Sequence, residues 1–155
     1  MITTLLIVHG LIAVALLGAL THQALSVWWP AAAKRSGSFL TNARAVASTS
    51  YTNAIIVLFL ITATLGAILY PAYRLGIRVV LQDYHLLVPE GSFELKEHFV
   101  AVGLGLLPAY WFYWRRPLAP DCAVARTALT TLLAFIVWWA FLVGHVLNNI
   151  RGFGS

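Results

Sequence analysis

The sequence predicts an all-α fold: an integral membrane four-helix transmembrane bundle with both termini on one side. Three observations predict it. The 155-residue chain is 61% hydrophobic and only 10% charged, with a mean hydropathy of +0.84. A soluble domain carries roughly a quarter charged residues. Four apolar stretches reach the roughly 20 helical residues that a bilayer crossing needs. Tryptophans and tyrosines gather at the ends of those stretches, at residues such as Trp28, Trp29, Tyr51, Tyr70, Tyr110 and Trp114, as aromatic belts do at the headgroup level. The length fits one membrane domain over residues 1–155.

The first helix is expected over about 2–29, ended by Pro30. It lacks the basic start and prompt cleavage pattern of a signal peptide, so it reads as a retained span. The second is expected over about 51–70, ended by Pro71. The following loop, 71–96, has apolar residues at 75, 77, 79, 80, 81, 84, 86 and 87. That spacing fits neither helix nor strand cleanly, so a short interfacial helix or a bent continuation of the second helix is expected. PEGS at 89–92 reads as a turn, with Ser92 capping the next helix and Glu94 in its first turn. The third helix is expected over about 97–114, followed by Arg115, Arg116 and Pro117. The fourth is expected over about 123–147, with Asp121 as its cap.

Four crossings return the chain to its starting side. The loops 30–50 and 115–126 on the opposite side carry Lys34, Arg35, Arg44, Arg115, Arg116 and Arg126 against Asp121. The starting side balances Arg74, Arg78, Lys96 and Arg151 against Asp83, Glu90, Glu94 and Glu97. By the positive-inside rule the expected location is a bacterial inner membrane with both termini outside. The net charge of +5 is then a feature of topology, and nucleic acid is not an expected partner.

Much chemistry is excluded. The single cysteine, Cys122, rules out an internal disulfide, a CxxC redox pair and covalent c-type haem attachment. Zinc-hydrolase motifs, a nucleophile elbow and phosphate loops are absent.

The histidines carry the remaining signal, because ionisable groups are costly in lipid. The first span, VHGLIAVALLGALTHQAL, holds His9 and His22 thirteen residues apart, about 140° apart around a helix. Topology puts His9, His85, His98 and His145 on the outer side and His22 alone on the inner side. His9 lies roughly 10 Å inside its helix start and His145 roughly 9 Å inside its helix end. Two imidazoles at one level on two helices suit a flat ligand such as haem b. Each has a glycine neighbour, Gly10 and Gly144, which lets backbones or a porphyrin edge approach. His98 is a substitute ligand, and Arg74, Arg78 or Arg151 are candidate propionate partners. A hydrogen-bonded histidine pair, a quinone contact and a non-haem metal are the other readings of His9 and His145. ELKEH, with Glu94, Glu97 and His98, raises a copper or zinc site as a further reading. Asp83, Tyr84 and His85 on the loop suit proton exchange with a quinol.

Four short crossings with histidines near the helix ends, His9 and His145 with His98 in reserve, resemble the small four-helix membrane cytochromes b. These include cytochrome b561-like proteins and the cytochrome b subunits of hydrogenase and formate dehydrogenase type. The resemblance implies haem b and electron exchange with quinone or a periplasmic partner. Such proteins often hold two haems on four ligands, whereas His22 has no second imidazole at its level in this chain. The competing expectation is a cofactor-free structural or accessory subunit of a larger respiratory or photosynthetic membrane complex, with other membrane subunits as partners.

Overall fold

The structure is a computed structural model that describes residues 1–29, 48–115 and 120–152. The expected loop cations Lys34, Arg35, Arg44 and Arg116 lie outside the described residues, as does the side chain of Arg151. The helices are α1 (Ile2–Trp28), α2 (Tyr51–Ala72), α3 (Arg78–Asp83), α4 (Leu87–Arg115) and α5 (Ala123–Gly152). A π-helical segment, Tyr73–Ile77, joins α2 to α3. Short 3-10 turns, Ser48–Ser50 and Pro120–Cys122, lead into α2 and α5. No strand occurs among the described residues.

Among the described residues, three helices are long and apolar enough to cross a membrane: Ile2–Trp28, the continuous Tyr51–Asp83 and Ala123–Asn149. α4 is as long as these, but its first turns hold Glu90, Glu94, Lys96 and Glu97.

Two helix boundaries depart from the expectation, and both involve proline. Pro71 does not end α2. It removes one N–H and crowds the carbonyl of Ala67, yet the helix runs on through it into the π turn at Tyr73–Ile77. The loop is thus the bent continuation of the second helix, not a separate interfacial helix. α4 begins at Leu87, ten residues before the expected start, so PEGS is helical and Ser92 is no cap. Pro89 is tolerated because the first turn of a helix has no intrahelical acceptor for its missing N–H. The reversal between α3 and α4 takes only Tyr84–Leu86, with His85 at φ 55°. A histidine enters this left-handed region more readily than a β-branched residue.

α1 packs on α2 and α5, and α5 packs on α4, while the seam between α2 and α4 is thinner. The main core joins Leu16 and Leu20 of α1, Ile55 and Phe59 of α2, Leu107 and Tyr110 of α4, and Leu133 and Ile136 of α5. Phe59 crosses the thin seam at Gly103, where an added Cβ would stand 2.6 Å from its ring tip. A smaller cluster of Leu81, Val143 and Leu147, with Ile77, Phe93 and Trp139 around it, sits where α3, α4 and α5 meet.

Side-chain hydrogen bonds tie the helices together. Trp28 Nε1 donates to Thr131 Oγ1 at 2.8 Å, and Trp138 Nε1 donates to Thr21 Oγ1 at 3.0 Å. The two bonds run in opposite directions between α1 and α5 and fix one antiparallel register. Trp114 Nε1 donates to Thr130 Oγ1 at 3.0 Å, joining α4 to α5. Where lipid tails are as apolar as leucine, such bonds and close packing replace the hydrophobic drive, at about 0.6–2 kcal/mol each.

Candidate functional site

The bundle has two polar stations, one at each end. At the end where α1 finishes, Gln23 is fully buried between α2 and α4. Its amide donates to Thr52 Oγ1 at 3.3 Å, and the Tyr110 hydroxyl donates to its carbonyl oxygen. Thr52, Tyr110 and Thr130 are buried around it. His22 lies beside this station with its ring 4.9 Å from that of Tyr51.

At the other end the buried face of α1 continues. Leu16, Leu20 and Gln23 define that face, and His9 stands two turns further out on it, seven residues from Leu16. The imidazole is half-buried. It meets the Thr62 backbone and has Lys96 and Glu97 as its nearest charges. Gly66 gives it room: a Cβ there would lie 3.5 Å from His9 Cε1. His9 Nδ1 is buried with no hydrogen-bond partner. A buried ring nitrogen without a partner costs about 1–3 kcal/mol.

Lys96 was not anticipated in this setting. It lies seven residues before Gly103 and fourteen before Tyr110, on the buried line of α4. Its side chain is 13% exposed, 2.6 Å from Glu97, with Nζ 4.1 Å over the Phe93 ring.

The other expected site residues fall on the surface. His98 is exposed, and its Nδ1 donates to the Glu94 carbonyl at 2.8 Å. That bond fixes the tautomer in which Nε2 carries the lone pair, the usual arrangement of a ligating imidazole. It is also an ordinary i to i−4 bond of a helical histidine. His145 is exposed, with its ring parallel to Phe141 at 6.2 Å. It lies seven residues beyond Trp138 and fourteen beyond Thr131, on the line of α5 that bonds α1. Arg78 is engaged: Nε is 2.8 Å from Glu90 and Nη1 is 3.3 Å from Glu94. Arg74 is exposed on the π segment. Asp83 and His85 are exposed at the α3–α4 turn.

Among the described residues no three His, Cys, Asp or Glu side chains are grouped to hold a metal ion. The ELKEH stretch therefore does not converge with His9, His145 or Asp83 on a copper or zinc site. A cavity of about 240 Å³ opens between the start of α4 and the end of α5, lined by Pro89, Ser92, Trp139, Leu142, Val146 and others. No histidine lines it.

No family model, curated protein or solved structure matches the chain. The fold and site define a helical bundle with membrane-spanning character and an imidazole on its inner face near one end.

Proposed function

We propose that the chain is a membrane-embedded b-type electron-transfer subunit. It spans the membrane four times, with the Gln23 end cytoplasmic and the His9 end outside. A haem b near the outer face exchanges electrons with quinone or a periplasmic partner. His9 of α1 and His145 of α5 would hold the haem, with His98 as the substitute.

The observation that carries this reading is the unpartnered, buried Nδ1 of His9 on the inward face of α1. An imidazole in that setting wants a ligand or a polar group that the described residues do not supply. His145, with its ring exposed, supports the reading only by its place at the same end of the bundle, seven and fourteen residues beyond the α5 side chains that bond α1. Lys96, although paired with Glu97, is a candidate propionate partner beside Arg74, Arg78 and Arg151, because it lies on the buried line of α4 near His9. When bound, the haem supplies a one-electron carrier. The chain's own residues hold the imidazoles in orientation and exclude water from the Gln23 end.

The test is the visible spectrum of the purified protein expressed with haem supply. A Soret band that shifts on dithionite, and that is lost in His9→Ala, is the expected result. A colourless protein under the same conditions would reject the reading and leave the accessory-subunit alternative.

A further inference from the structure

The hairpin formed by the π segment, α3 and the first turns of α4 turns several of its large apolar side chains outward. Arg78 faces Glu90 and Glu94, and Gln82 Nε2 donates to Glu90 at 2.7 Å, so these polar groups are spent on one another. Many outward positions are nonetheless apolar: Leu75 is 82% exposed, Val79 47%, Val80 53%, Leu87 69% and Val88 80%, with the exposed Arg74, Asp83 and His85 beside them. A hairpin standing in water would keep most of its leucine and valine inside with Ile77, Leu81 and Phe93. Large apolar side chains turned outward beside partly exposed but paired charges fit a hydrocarbon surface with the polar groups near its edge.

The apolar surface is also continuous with that of the spanning helix. Val57, Ile61, Thr64, Ile68, Ala72, Leu75 and Val79 are all exposed, and they recur every three or four residues through Pro71 and the π turn. Length points the same way. Tyr51–Asp83 runs 33 residues, about 50 Å of helix, whereas the hydrocarbon core is about 30 Å thick. A helix with that excess tilts or bends to keep its apolar face in lipid, and the π turn stands where α2 leaves the core.

We infer that the outward face of this hairpin, Leu75, Val79, Val80 and Val88, lies against the acyl chains of the outer leaflet. The inference rests on the membrane-spanning part of the proposed function and is independent of haem.

The test uses single-cysteine variants in a Cys122→Ser background, labelled with a small fluorophore and placed in phosphatidylcholine vesicles. Leu75→Cys and Val79→Cys are compared with Ile68→Cys in mid-helix, and Val80→Cys replaces either if it does not fold. The expected result is a loss of fluorescence with nitroxide-labelled acyl chains comparable with that at Ile68, and little loss with aqueous iodide. Strong iodide quenching at 75 and 79, with Ile68 still quenched from lipid, would overturn the inference and place the hairpin in water. Shielding from both quenchers would overturn it in favour of a second copy covering the face. Iodide quenching at Ile68 as well would instead remove the membrane reading beneath it.

Discussion

The two ends of the bundle use polar groups differently. At the Gln23 end, Gln23 bonds Thr52 and Tyr110, and Trp114 bonds Thr130, all of them buried from solvent. At the His9 end, one imidazole has a buried nitrogen without a partner, three more imidazoles are exposed, and a lysine stands on a buried line. The first pattern is what holds helices together where the surroundings are apolar, because each polar group finds its partner inside the protein. The second leaves chemical capacity unspent, which is why the function is sought there.

The sharpest way to break the contrast is at Gln23. Gln23→Ala removes two hydrogen bonds and leaves a cavity in the core. It is expected to cost about 2–4 kcal/mol, read as a lower thermal midpoint in detergent. His9→Ala is expected to leave that midpoint nearly unchanged in the haem-free protein, since it deletes an unsatisfied group. An equal loss at both positions would erase the distinction between the ends.

The glycines give a second pair. Gly103→Ala drives a Cβ to 2.6 Å from Phe59, and overpacking of that kind costs about 1–3 kcal/mol. Gly66→Ala meets His9 at 3.5 Å, an ordinary contact, and is expected to be close to neutral. Thermal midpoints of the two variants, measured side by side, check the difference.

Arg78→Met strands Glu90 and Glu94 at a partly exposed ion pair, so about 1 kcal/mol or less is expected in detergent. If the hairpin faces lipid, the loss is larger in vesicles than in detergent solution, which a proteolysis assay on the α3–α4 turn would read. The smallest effect is expected at His85. With φ at 55°, His85→Gly is neutral to slightly stabilising, whereas His85→Val costs about 1 kcal/mol through the left-handed backbone.

The sequence made the long apolar helices legible because their runs exceed any soluble core helix. It misplaced the ends at Pro71 and Pro89, since a proline reads as a stop. Its effect depends on the turns around it: α2 runs on through Pro71 into the π segment, and Pro89 stands in a first turn. Ser92 was read as a cap for the same reason. The polarity of the site was partly legible: His9 stood out as an imidazole in hydrocarbon. Lys96 did not, because its neighbours Glu94, Glu97 and His98 make it look like a surface charge. The seven-residue steps from Lys96 to Gly103 to Tyr110 were the signal that puts it on the inner line. The outward facing of His98 and His145 required the packing of α4 and α5, which depth counting alone does not supply.

The most direct measurement is electron paramagnetic resonance of the oxidised, purified protein beside its His9→Ala and His145→Ala variants. The account predicts a low-spin ferric haem signal that converts to high spin, or disappears, when either imidazole is removed. A protein without a ferric haem signal, or a low-spin signal that both variants keep unchanged, would contradict it.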